Sequence, residues 1–145
     1  MYLSTPSRYE VIEEKFTRVT DRRRTAKNLL QLKVALRAEI PRKTVDNLLL
    51  ATWNIREFDS AAYGMRSEEA MYYIAEIIDH FDLIAIQEVR NDLTGLNRLL
   101  ELLGKWWNVA FTDVTAGFLG NKERMAFVYD TRKVEFSGLS GEIVL

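Results

Sequence analysis

Two short apolar runs in this chain each stop at a side chain able to hold a metal ion or a phosphate. The first, LLLATWNIREF from Leu48 to Phe58, stops at Asn54, and the second, DLIAIQEVR from Asp82 to Arg90, stops at Gln87 and Glu88. A buried strand that ends in an amide or a carboxylate leaves that group at the rim of its sheet. If the two strands are neighbours, an amide oxygen and a carboxylate converge on one point. Hard cations such as Mg²⁺ are held by one or two carboxylates, waters and substrate phosphates. Asn54 and Glu88 therefore read as half of a metal-dependent phosphoryl site. Arg56 and Arg90, just past each end, carry guanidinium forks that suit phosphate oxygens.

The elements that must position these residues follow from the apolar pattern. Tyr9, Ile12, Phe16 and Val19 lie on one helical face, and Ala26, Leu29, Leu30, Leu36 and Ile40 continue an apolar side. Residues 8–39 are thus expected as one long helix or two, ended by Pro41. From there the pattern alternates. Leu48 to Trp53 is a strand whose apolar run suggests burial on both faces. Residues 66–80 form a helix with Ser67 as N-cap and Met71, Ile74, Ile77, Ile78 and Phe81 as its stripe. Leu83 to Gln87 is a second buried strand. Residues 93–103 are a helix with Leu96, Leu99, Leu100 and Leu103 inward and Gly104 as its stop. Strands are expected at Trp106 to Thr112, Arg124 to Tyr129 and Val134 to Phe136, with one more beginning at residue 142. Trp53, Trp106 and Trp107 are expected in the core. His80, the single histidine, sits at a helix C-terminus, where a cation suits the dipole, and is expected to be structural.

The totals set limits. The chain has 145 residues, one domain's length, with 48% hydrophobic and 28% charged residues, an ordinary globular composition. Without cysteine it can form neither disulfides nor thiolate metal sites. No apolar run approaches a membrane span and the N-terminus lacks an apolar h-region, so a cytoplasmic protein is expected. The net charge of −1 hides an asymmetry: residues 1–47 carry 11 Lys/Arg against 6 Asp/Glu, and residues 48–145 carry 9 against 15. A basic arm on an acidic body is able to contact phosphates, although a solvated helix face has the same composition.

WNIREF, IQEVR one helix later, and NKERMAFVYD after a further strand and loop stand in an order and spacing that resembles the endonuclease/exonuclease/phosphatase superfamily, and most of all its DNase I-like nucleases. The resemblance covers residues 48–136. It implies an α/β fold, the N-terminal half of a four-layer α/β sandwich, preceded by a helical N-terminal arm (residues 1–45, with the partial domain at 46–145). It implies hydrolysis of phosphodiesters with Mg²⁺, or Mn²⁺ or Ca²⁺ in its place. Carried over by motif, Glu88 is the metal-binding glutamate and Asn54 the asparagine beside metal and phosphate. Glu123 is the acidic residue that orients a catalytic histidine, and Arg56 and Arg90 touch the DNA backbone. Asn121 stands where these nucleases often carry a tyrosine, which puts their mode of groove binding in doubt.

The resemblance also implies what is lacking. The family's later histidine-aspartate, aspartate-x-asparagine and aspartate-histidine motifs have no counterpart, and no histidine follows residue 81. The chain is therefore read as an N-terminal half, inactive by itself. One sheet face would pack on the missing half or on a second copy, with Ala126, Val128 and Leu49 as the apolar residues otherwise left facing water. Two alternatives stand beside a DNA endonuclease: a phosphoinositide or sphingomyelin phosphodiesterase of the same fold, and a non-catalytic interaction module.

Overall fold

A computed structural model describes residues 16–56, 58, 65–89, 92–112 and 124–138. Among them the chain is mixed α/β: three helices and one four-stranded sheet, in the order α1 (Val19–Glu39), β1 (Leu50–Asn54), α2 (Glu68–Ile78), β2 (Leu83–Val89), α3 (Thr94–Leu103), β3 (Trp107–Phe111) and β4 (Arg124–Asp130). The sheet order is β1-β2-β4-β3. The β1 and β2 strands run parallel, as a helical crossover through α2 demands. The β4 strand is antiparallel to both β2 and β3.

Period-2 alternation assigns the two sheet faces. Paired across the strands, Ala51, Ile84, Val128 and Val109 share one face, as do Trp53, Ile86, Ala126 and Phe111. Helices α2 and α3 cover this face, adding Met71, Ile74, Ala75, Ile78, Leu96 and Leu99 to a single core cluster. Each large side chain fully buried there contributes about 1.5–3 kcal/mol. Ala126 and Val128 are fully buried under the helices, so the expectation that they would face water was wrong. The alternation from the helix-covered Ile84 and Ile86 decides it. The second face carries Leu50, Thr52, Ala85, Phe127 and Tyr129 instead.

The expectation of two-sided burial for the first strand also fails. β1 is an edge strand with alternating exposure, and Leu50 is 60% exposed. Val134 to Phe136 is not a strand either. After β4 the amides of Lys133 and Val134 both turn back to the Asp130 carbonyl, and Phe136 stands half exposed. Trp107 is buried and Trp53 packs on the core, whereas Trp106 lies 48% exposed with the Lys105 ammonium over its ring. The strand expected from residue 142 lies outside the described residues.

Local chemistry explains the helix ends. The Ser67 hydroxyl accepts from the Ala70 amide at 3.2 Å, capping α2, and Glu68 and Glu69 favour its positive end. Gly104 ends α3 at φ 88°, a conformation that costs glycine nothing. α1 begins only at Val19, because Arg18 is extended at φ −110°, ψ 126°; the face through Phe16 and Val19 is therefore not continuous helix. The helix ends at Ile40, also extended, as the residue before a proline prefers. Residues 8–15 of the expected helix lie outside the described residues.

α1 lies against α2 on the side away from the sheet. Leu29 and Tyr72 are fully buried against each other, with Phe16 and Tyr73 beside them. Arg24 forks onto Glu69 with contacts of 2.7–3.3 Å, and Lys33 approaches the buried Glu76 at 3.9 Å. α2 is thus covered on two sides. Among the described residues no helix is long and apolar enough to cross a membrane.

Candidate active site

The parallel register places Asn54, the last residue of β1, beside Gln87, two residues before the end of β2. Regular alternation from Ile86 would then send Glu88 to the helix-covered face. It does not go there. β2 pairs with β4 at Ile86–Ala126 and again at Val89–Arg124, so two residues on β2 stand opposite one on β4. This is a β-bulge. Glu88 takes a left-handed backbone at φ 59°, the single non-glycine with positive φ among the described residues. The bulge turns Val89 back into the core, where it is 1% exposed, and frees Glu88 from the apolar side.

The result is a direct contact on the second face. The Asn54 side-chain amide donates to Glu88 Oε1 at 2.8 Å, across 34 residues of sequence. Asn54 is exposed and Glu88 half-buried. Because the Asn54 nitrogen is committed to the carboxylate, its Oδ1 is the atom left to accept or ligate. One carboxylate and one amide oxygen at a solvent-accessible rim is an oxygen-only donor set. That composition suits Mg²⁺, Mn²⁺ or Ca²⁺ and not a soft metal. Among the described residues no group of three or more His, Asp or Glu forms a complete metal cage. The remaining coordination would come from water, substrate and other parts of the chain.

Arg56 is exposed just past β1, and its carbonyl accepts from Arg66 Nη2 at 3.0 Å. Arg98 in turn donates to the Arg66 carbonyl at 3.3 Å and to Glu68 Oε1 at 2.7 Å. This relay ties the segment after Asn54 to the start of α2 and to α3. Nothing in the spacing of Arg66 or Arg98 signals it, since both contacts run through backbone carbonyls. Arg90 and Glu123 lie outside the described residues. His80 donates from Nδ1 to the Glu76 carbonyl at 2.8 Å, on α2's last turn.

At the opposite end of the sheet two carboxylates that pattern reading passed over are buried. Asp82 is fully buried and accepts from the Leu49 amide at 2.7 Å and from the Lys133 ammonium at 2.9 Å. Asp130 is 1% exposed and holds Arg132 through a forked pair. Lys43 lies 3.6 Å from each carboxylate and 4.9 Å from the Trp107 ring. Burial works to raise both carboxyls, but hydrogen bonds and cations outweigh it and hold both below the ordinary aspartate value.

The fold and site describe an α/β protein whose sheet rim joins a carboxylate to an amide. A deoxyribonuclease from Thioalkalivibrio sp. (strain K90mix) is 32% identical to this chain over 103 residues, covering 68% of this chain and 27% of the deoxyribonuclease. The chain thus spans about a quarter of the length of the curated relative it matches. The likeness is of nuclease type. No protein-family model matches the sequence.

Proposed function

We propose that this chain is part of a metal-dependent phosphodiester hydrolase acting on DNA, with Asn54 and Glu88 in its active site. The observation that carries the reading is the 2.8 Å contact between Asn54 and Glu88, made by a bulge that puts a glutamate into a backbone it ordinarily avoids. Strain of this kind persists where surrounding structure holds it, and it collects at functional sites. The similarity to a deoxyribonuclease supports DNA as the substrate.

In this reading Glu88 and the Asn54 oxygen hold a Mg²⁺ ion, with Mn²⁺ or Ca²⁺ as substitutes. When bound, such an ion supplies Lewis acidity toward a phosphoryl oxygen. Asn54 fixes the Glu88 carboxylate through its amide and adds a contact that does not repel the phosphate. Arg56 and Arg90 neutralise the DNA backbone on either side. Glu123 orients a histidine that this chain does not itself supply after residue 81. The same reading makes the sheet one of two in a four-layer sandwich. The face bearing Leu50, Ala85 and Phe127 would pack on the second sheet, contributed by further chain or by self-association.

The test is plasmid nicking by the purified chain in Mg²⁺, with EDTA and Glu88→Ala as controls. Metal-dependent nicking that disappears in Glu88→Ala supports the assignment. Equal nicking by Glu88→Ala refutes it. Folded protein that cleaves lipid headgroups but no DNA moves the substrate to a phospholipid, and folded protein with no hydrolysis marks the chain as a non-catalytic part.

A further inference from the structure

A second feature lies at the other end of the molecule and plays no part in the site above. Where α1 and α2 end together, a half-open cleft of about 450 Å³ is lined by Arg37, Arg42, Lys43, Asp79 and His80 on either side of Ile40 and Pro41. Its size lies within the range of small-molecule sites, with room for a phosphate and its attached group. It opens near the starts of β1 and β2, whereas Asn54 and Glu88 stand at their ends, roughly 15 Å of strand away.

The charges in and behind the cleft do not cancel. Asp82 and Asp130 are buried behind it, compensated by Lys43, Lys133 and Arg132. Asp79 faces the field of Arg132. Counting Arg37 and Arg42, five cations meet three carboxylates, an excess of two. Arg37 and Arg42 are both exposed, and neither guanidinium has an ion-pair partner among the described residues. The Lys43 ammonium also makes no hydrogen bond among the described residues, although its nitrogen is buried and 3.6 Å from each of two carboxylates.

The backbone holds this arrangement open. Pro41 forces Ile40 into an extended conformation, so the chain leaves α1 sharply and brings Arg42 back beside Arg37's turn. The Asn47 side chain donates to the Arg42 carbonyl at 2.7 Å, and the Lys133 ammonium donates to the carbonyls of Thr44 and Asn47 at 2.8 and 2.6 Å. His80 commits Nδ1 to the Glu76 carbonyl, so Nε2 is the ring nitrogen able to meet a ligand. Cations near helix C-termini are favoured by the dipoles alone. Two guanidiniums around one concavity, with no ion pair among the described residues, go further, because each offers paired donors in the geometry an oxyanion accepts.

We propose that this cleft binds a phosphate group, with Arg37 and Arg42 as its clamp. The group comes either from a nucleic-acid strand or from a free phosphate. The proposal is independent of the nuclease reading and survives its failure.

The single histidine gives a clean probe. In EDTA and at constant pH and ionic strength, the 145-residue chain is titrated with inorganic phosphate while the His80 C2–H resonance is followed, with chloride as control. A saturable shift is expected with phosphate and not with chloride. Arg37→Ala combined with Arg42→Ala should weaken it about tenfold or more, the loss of two charge-assisted contacts. Arg23→Ala combined with Lys27→Ala removes the same charge from exposed positions elsewhere on α1 and should leave it unchanged. Short oligonucleotides with and without a 5′-phosphate then separate the sources. Tighter binding of either oligonucleotide than of inorganic phosphate assigns a nucleic acid, and binding of inorganic phosphate alone assigns a free anion. Absence of saturation, or equal weakening by both double variants, overturns the proposal.

Discussion

The Asn54 amide meets the Glu88 carboxylate at 2.8 Å although regular strand alternation would set the two residues on opposite faces of the sheet. The contact exists because β2 spends one extra residue at its end. On the proposed reading, function and local backbone strain are joined in one residue, and substitutions should be able to separate them.

Glu88→Gly and Glu88→Ala both delete the carboxylate, but only glycine is at ease at φ 59°. Chemical denaturation should find the glycine variant more stable than the alanine variant by about 1 kcal/mol. Equal stabilities would mean that the left-handed conformation carries no strain.

Asn54→Ala should cost little stability, about 1 kcal/mol or less, because Asn54 is exposed and its hydrogen bond is solvent-accessible. It should nevertheless weaken divalent-cation binding about tenfold or more, as loss of a partner that orients a ligand does. A large drop in melting temperature would instead identify Asn54 as a structural strand-end residue.

Asp82 and Asp130 both have carboxyls held below the ordinary value of 3.8. Depressed carboxylates contribute stability that is fully present above the unfolded-state value and lost as pH falls through the folded-state value. Stability should therefore be flat above about pH 5 on this account and fall steeply below pH 4. Asp82→Asn should flatten that acid limb while destabilising the protein at pH 7, because Lys133 and the half-buried Lys43 lose a counter-charge. An unchanged acid limb in the variant would assign the acid lability elsewhere.

Tyr72 is fully buried, and its hydroxyl has no hydrogen-bond partner among the described residues. Burial, with the charge of Glu68 adding to it, pushes its phenol up to about 12. A raised phenol contributes stability that is present below the unfolded value near 10 and lost as pH rises toward 12. Tyr72→Phe should be neutral or stabilising by about 1 kcal/mol at pH 7, since it deletes an unsatisfied polar group. It should also move alkaline unfolding to higher pH. Clear destabilisation at pH 7 would show that the hydroxyl is satisfied.

Much of this architecture is legible in the residues. The stripe from Met71 to Ile78, the Ser67 cap, the Gly104 stop and the strand end at Asn54 all follow from period and side-chain chemistry, whereas β2 runs past the expected end at Gln87 to Val89. Other features depend on partners that a local pattern does not display. The runs through Leu50 and through Ala126 and Val128 are both apolar, so hydrophobicity does not tell which face receives α2 and α3. Asp82 stands in the sequence like any helix-to-strand turn residue, and only the tertiary approach of Lys43 and Lys133 makes its burial tolerable. Trp106 and Trp107 are neighbours of one type, and the pleat sends one inward and the other out. The bulge at Glu88 is the hardest case. The letters IQEV fit an ordinary strand, and the extra residue shows only against the register of β4.

The central claim is that Asn54 and Glu88 together hold a divalent cation. Its most direct test is a Mn²⁺ titration of the purified chain, followed by water-proton relaxation, for wild type, Glu88→Gln and Asn54→Ala. The account predicts a saturable site in the wild type that is weakened about tenfold or more in Asn54→Ala and lost in Glu88→Gln. Equal Mn²⁺ affinity in wild type and Glu88→Gln would contradict it.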